Sequence, residues 1–198
     1  MSTQKAIDHE IMRRIQKDDF DAFDELVNRY KTRLVNVIYR MLNDRNEAED
    51  LVQETFLRVW THRQDYDFSY CLSTWIYTIA LNLAKNELRK HRKFKFFNLT
   101  DMTEKGLELP DPKMGPSALG HMLDQAIATL PSKYKAAFLL RDVEQMSYEE
   151  VAQILGVPLG TVKSRVNRAR SVLKDHLKPK LEQSRALSQS SLVPVRSM

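Results

Sequence analysis

Cysteine, glycine and proline are all scarce in this chain, and each scarcity removes a class of protein. Cysteine occurs once, as Cys71, so no intrachain disulfide framework can form and a cysteine-based zinc site is excluded. No run approaches the roughly 20 uncharged apolar residues that a membrane span needs. Residues Met1 to Lys17 mix charges with apolar side chains and lack the apolar centre of a signal peptide. No membrane insertion is expected, and a reducing cytoplasm is the expected location. The five histidines, His9, His62, His91, His121 and His176, stand apart from one another and from Cys71. No glycine-rich phosphate loop is present, and no His/Asp/Glu spacing is that of a metal site. The expectation is therefore no catalytic set, no cofactor, no metal and no enzymatic activity.

What is present is ordinary in amount and unusual in arrangement. The 198 residues, with 42% hydrophobic and 29% charged, suit one domain or two small ones and exclude wholesale disorder or a collagen-like repeat. Basic residues exceed acidic ones by 31 to 26, a net charge of +5. That excess is clustered, and clustering points to a polyanionic partner. No glycine or proline occurs before Gly106, after which Gly106, Pro110, Pro112, Gly115, Pro116 and Gly120 follow in quick succession. A long stretch without breakers followed by a cluster of them reads as a helical domain and then a linker. The serine-rich end, Ser184 to Met198, reads as disordered.

Periodicity predicts helices throughout and an all-α fold of two bundles. Phe20, Phe23, Val27, Tyr30, Leu34, Val37, Ile38 and Met41 recur at three- and four-residue steps, predicting a helix from about Asp19 to Asn43. The same pattern predicts helices from about Asn46 to His62 and from about Ser73 to Arg92. Beyond the linker, Pro131 has the place of a first-turn proline. Ser147-Tyr-Glu-Glu150 has the spacing of a capping box.

From Ser147 the chain reads SYEEVAQILGVPLGTVKSRVNRARSVLKDHL. A short capped helix ends at Gly156, suited to a left-handed turn, and a second helix begins near Gly160. This is the plan of a DNA-binding helix-turn-helix. In the second helix Val162, Val166, Ala169 and Leu173 form the stripe expected to be buried. Lys163, Ser164, Asn167, Arg168 and Ser171 occupy the opposite face, with Arg165 and Arg170 on the flanks. Such a helix places its N-terminal side chains on base edges and its cations on phosphates.

Two further faces lie in the first bundle. Thr78, Asn82, Lys85, Arg89 and Arg92 share one stripe, grading from hydroxyl and amide to cations, with Lys93 beyond. Tyr66, Phe68, Tyr70 and Trp75 crowd the segment before it, and aromatics beside a basic groove suit unstacked single-stranded bases; taken singly, each is expected in the core. The other face is acidic: Glu47, Asp50 and Glu54 line one side of their helix, away from Val52, Phe56 and Val59. Such a face repels phosphate and suits either solvent or a basic protein partner.

With these motifs in order, the chain resembles a bacterial extracytoplasmic-function (group 4) RNA polymerase sigma factor. EAEDLVQETFLRVW (Glu47 to Trp60) resembles the region 2 helix that docks on the polymerase β′ clamp helices, implying Glu47, Asp50, Gln53 and Glu54 as docking residues. STWIYTIALNLAKNELRKHRK (Ser73 to Lys93) resembles the promoter-melting and −10 recognition helix, implying Asn82, Lys85, Arg89, Arg92 and Lys93 as DNA-binding residues. Leu130 to Arg170 is similar to region 4, which reads the −35 element, implying Lys163, Ser164, Arg165, Asn167, Arg168 and Arg170. The loop Asp67 to Ser73 lacks the Arg-Gly often found there, so the preferred flipped −10 base is not carried over. The implied layout is region 2 over 8–93, a flexible linker over 94–117, region 4 over 118–178 and a disordered tail over 179–198. The implied partners are core RNA polymerase (β′ clamp helices and β flap), promoter DNA and an anti-sigma factor. A stand-alone helix-turn-helix regulator with a sensing or dimerising bundle would explain Ser147 to Leu177, though neither the acidic helix nor the second basic stripe.

Overall fold

A computed structural model describes residues 3–97 and 118–190. The expected linker beyond Phe97, and the tail from residue 191, lie outside the described residues. Eight α-helices account for the architecture, and the described residues contain no strand: α1 Thr3–Ile15, α2 Phe20–Leu42, α3 Arg45–Thr61, α4 Leu72–Phe97, α5 Ala118–Ala128, α6 Ser132–Phe138, α7 Tyr148–Leu155 and α8 Leu159–Ser190.

Local chemistry places the helix ends. Asp19 caps α2 by accepting the Ala22 amide at 3.0 Å, and Asp44 caps α3 by accepting the Glu47 amide at 2.9 Å. Asn43 closes α2 in the left-handed region, φ 63°, with its amide returned to the Tyr39 carbonyl. Pro131 sits one residue earlier than expected, at the cap of α6 rather than inside its first turn. Ser147 and Glu150 form the full capping box of α7, with bonds of 2.8 and 3.1 Å, and Gly156 ends α7 at φ 63°.

Helices α1 to α4 form the first domain around Met12, Ile15, Leu26, Leu34, Ile38, Val52, Leu72, Ile76 and Leu81, all essentially inaccessible. Helix α1 starts at Thr3, ahead of the expected boundary at residue 8. It is held by Ile11, Met12 and Ile15 in the core and by a buried Asp8, which accepts the Tyr30 hydroxyl at 2.9 Å and Arg29 at 3.0 Å. In the second domain α5 to α8 surround Ile127, Leu139, Leu140, Val151 and Ile154. Val162, Val166, Ala169 and Leu173 are buried as one stripe of α8.

One feature departs from expectation. Helix α8 continues through Pro179 to Ser190, across much of the stretch expected as a disordered tail over 179–198. The flanking residues Lys178, Lys180, Leu181, Glu182 and Gln183 are good helix formers, and they offset the missing amide of one proline. The two expected bundles are both present and pack on one another: α4 lies on α7, and α2 on α5 and α6. Two ion pairs cross this seam. Arg33 Nε of α2 lies 2.8 Å from Glu144 Oε2, and Arg40 Nε of α2 lies 2.9 Å from Asp124 Oδ1 of α5. The Tyr77 hydroxyl, at the fully buried centre of α4, also donates to Glu144 Oε2, at 2.5 Å. Burial and the neighbouring Glu144 carboxylate both push the Tyr77 phenol up from its ordinary pKa.

Candidate nucleic-acid and protein interfaces

The recognition face of α8 is open to solvent where the helix-turn-helix pattern predicts it. Lys163, Ser164, Asn167 and Arg168 are exposed, and Ser164 Oγ donates back to the Thr161 carbonyl at 2.9 Å. Arg168 reaches the Tyr134 hydroxyl at 3.2 Å. The Arg168 guanidinium, ahead of the Lys133 ammonium, holds that phenol below its usual range. Two flanking cations behave differently. Arg170 is held by both carboxylate oxygens of Asp142, at 3.0 and 2.5 Å, which fixes its direction. Arg165 is half-buried, and its charge acts on Lys85 of α4.

On α4 the predicted stripe is assembled but graded in exposure. Asn82, Arg89, Arg92 and Lys93 are exposed, whereas Thr78 and Lys85 are half-buried. Burial lowers the Lys85 ammonium from its ordinary pKa, and the like charges of Arg89 and Arg165 lower it further. At the N-terminal end of this stripe lies a cavity of about 260 Å³, lined by Asp65, Tyr66, Asp67, Tyr70, Thr74, Trp75 and Thr78. Thr74 Oγ1 is buried there with no hydrogen-bond partner. Tyr66 is core, as expected for a single aromatic, and packs at 5.2 Å from the Trp75 ring, but Tyr70 is exposed. Gln153 of α7 closes one side of this cavity, so the helix-turn-helix domain covers part of the surface at the start of the α4 stripe.

The acidic helix presents Asp50 and Gln53 to solvent, with Glu54 half-exposed and paired to Arg58 at 2.7 Å. Glu47 does not join them. It turns toward α4, where His91 Nε2 lies 3.0 Å from its Oε1, and burial raises its carboxyl above the usual range. Between α2 and α3 runs an apolar groove of about 430 Å³, lined by Phe20, Phe23, Val27, Phe56, Leu57 and Trp60 among others, with Gln53 and Glu49 as polar lining residues. Phe20 is 68% exposed and stacks on Trp60 with ring centroids 4.7 Å apart, and Leu57 is 59% exposed. Sequence reasoning assigned Phe20 to the core stripe of α2 and overlooked Leu57. Its position between Glu54 and Arg58, off the stripe of Val52, Phe56 and Val59, was the available signal.

A helical bundle with an exposed basic helix, joined to a helix-turn-helix domain, defines a two-domain DNA-binding protein of the sigma-70 type. Residues 26–94 match Sigma-70 region 2, and residues 120–173 match Sigma-70, region 4. The chain is 32% identical over 177 residues to the ECF RNA polymerase sigma factor SigW of Bacillus subtilis, covering 84% of this chain and 95% of that one. It is 32% identical to the RNA polymerase sigma-H factor of Pseudomonas aeruginosa over 93% of this chain and the whole of that one. The fold superposes on the sigma factor RpoE solved with the anti-sigma factor NepR from Bartonella quintana, with a TM-score of 0.69 and 27% identity over 79% of this chain and 96% of that chain. CnrH, solved with the cytosolic domain of CnrY, shares the fold at a TM-score of 0.67 and 20% identity, over 87% of this chain and 98% of that one. The chain belongs to the family of extracytoplasmic-function RNA polymerase sigma factors. Members of this family are transcription-initiation factors. No helix among the described residues is long and apolar enough to cross a membrane.

Proposed function

We propose that this chain is a group 4 sigma factor working in the cytoplasm, whose three exposed faces divide the work of initiation. Asp50, Gln53 and Glu54, with the groove between Phe20 and Leu57, dock on the β′ clamp helices of core polymerase. Acidic groups beside an apolar groove suit an amphipathic basic helix, since apolar burial supplies affinity and charge sets register. Asn82, Lys85, Arg89, Arg92 and Lys93 engage the −10 region, and the cavity between Tyr66, Trp75 and the unpartnered Thr74 hydroxyl takes an unstacked base. Lys163, Ser164, Arg165, Asn167, Arg168 and Arg170 read the −35 element, while the same domain contacts the β flap. Region 2 covers 8–93 and region 4 covers 118–178 in this reading. Engagement of both promoter elements requires the two domains to part, because Gln153 of α7 closes the cavity beside the α4 stripe. An anti-sigma factor is a further partner, by analogy with the complex of RpoE with NepR.

The observation that carries this reading is the juxtaposition of Glu49 and Gln53 with an open apolar groove on the helix matching region 2, whose exposed face also carries Asp50. A helix-turn-helix regulator acting alone has no use for such a surface. The test is association with core polymerase. The double variant Asp50→Lys, Glu54→Lys should lose binding while its circular dichroism spectrum stays unchanged, since exposed charges contribute little to stability. Unaltered polymerase affinity in that variant refutes the docking assignment.

A further inference from the structure

The tertiary fold brings together three side chains that lie apart in the chain. Glu87 and His91 are one turn apart on α4, and Glu47 faces them from the first turn of α3. His91 Nε2 lies 3.0 Å from Glu47 Oε1 and 3.7 Å from Glu87 Oε1, and one ligand atom from each of the three lies within 4.8 Å of the others. Glu47 Oε2 is out of contact with solvent and has no hydrogen-bond partner. A half-buried carboxylate with an orphan oxygen, facing a second carboxylate, is a costly arrangement for a histidine alone to offset.

We propose that Glu47, Glu87 and His91 form a binding site for a divalent transition-metal ion, for which Zn²⁺ has the best-matched chemistry. Ligand bonds of about 2.0–2.1 Å in tetrahedral geometry put neighbouring donors about 3.3–3.4 Å apart, and the two histidine distances bracket that value. One imidazole nitrogen with two carboxylates suits zinc or a neighbouring first-row ion, whereas calcium takes six to eight oxygens. Two carboxylates balance the charge of the ion and leave at least one coordination position for water. Glu87 keeps its other oxygen, Oε2, on Lys90 Nζ at 2.6 Å, so only Oε1 is offered to the ion and Lys90 orients the carboxylate from outside. The third ligand comes from a different helix, so the full set of three shares no local sequence pattern. The ion would fasten α3, which carries the acidic face, to α4, which carries the basic stripe.

The probe is Co²⁺, added to the full-length, chelator-stripped protein, with Zn²⁺ as competitor. The expected result is saturable visible absorption at one Co²⁺ per chain, displaced by Zn²⁺, together with a rise in thermal midpoint. His91→Ala and Glu87→Gln should each weaken Co²⁺ binding by more than about tenfold and remove the rise in midpoint. His91 is 49% exposed, so its truncation leaves the core intact, and circular dichroism checks this. His62→Ala, which alters an exposed histidine paired with Asp65, should bind as the unaltered chain does. Absence of saturable Co²⁺ absorption, or full-strength binding by His91→Ala, overturns the site and leaves Glu47 and His91 as a simple ion pair.

Discussion

Glu144 is the single residue through which the closing of the two domains can be tested most directly. Its carboxylate is 8% exposed and receives both Tyr77 from α4 and Arg33 from α2. Glu144→Gln keeps the volume and removes the charge. A hydrogen bond to a charged acceptor contributes roughly 1.5–3 kcal/mol and a neutral one roughly 0.5–1.5, so the Tyr77 bond loses about 1–1.5 kcal/mol. The Arg33 side chain is 52% exposed, so solvent screening limits its loss to at most about 1 kcal/mol. The sum, about 1–2.5 kcal/mol, shifts the equilibrium toward parted domains by roughly 5- to 70-fold. Cys71, the lone thiol, is half-buried at the seam with Glu150 of α7 against it. Burial, then Glu150, pushes its pKa up, which slows its reaction in the closed state. The rate of modification of Cys71 by a thiol reagent should therefore rise, by at most that factor, in Glu144→Gln, and Tyr77→Phe should move it in the same direction. Binding of a −10 single strand by the free protein should tighten in parallel, as Gln153 leaves the cavity. Unchanged thiol reactivity in both variants would show that the seam does not depend on Glu144.

Further outcomes are expected elsewhere in the molecule. Arg168→Ala should cost on the order of 1–3 kcal/mol on the preferred −35 sequence and flatten discrimination at one base, read by binding to single-base variants. Arg170→Ala, losing a guanidinium aimed by Asp142, should weaken all sequences alike and lower the salt slope by about one; a sequence-specific loss would refute the phosphate role. Ser147→Ala removes one half of the capping box and should destabilise the second domain by about 1 kcal/mol in denaturant unfolding. Asp19 is held below the usual carboxylate range by the Ala22 amide first and the Arg14 side chain second. Its contribution is therefore fully present above the ordinary carboxylate pKa and is lost as pH falls through the lowered folded value. Asp19→Asn should flatten that acid limb of the stability curve, and an unchanged limb would place the dependence elsewhere. Leu57→Asp should weaken core polymerase binding at constant thermal midpoint, since the side chain is exposed; retained affinity would remove the groove from the docking surface.

Local signals carried the helices and the helix-turn-helix, because capping and turn chemistry act between residues three or four apart. Ser147 with Glu150, Gly156 in its left-handed turn, and the stripe from Val162 to Leu173 are each decided within one or two turns of chain. The exposed face of α8 follows from that stripe alone, and so does much of the acidic and basic patterning. Tertiary structure decided what those charges meet. Nothing local marks Arg33 and Arg40, which find their partners only where α2 packs beside Glu144 and Asp124 and the two bundles close on one another. Glu47 reads as one more member of the acidic face until α4 crosses α3 and places His91 and Glu87 against it. Phe20 sits on the apolar period of its helix yet is exposed, because no helix among the described residues covers that end of the groove. Periodicity states which side of a helix is apolar, whereas the crossing of one helix over another decides which side chains are buried, paired or left open, and that crossing depends on contacts distant in the chain.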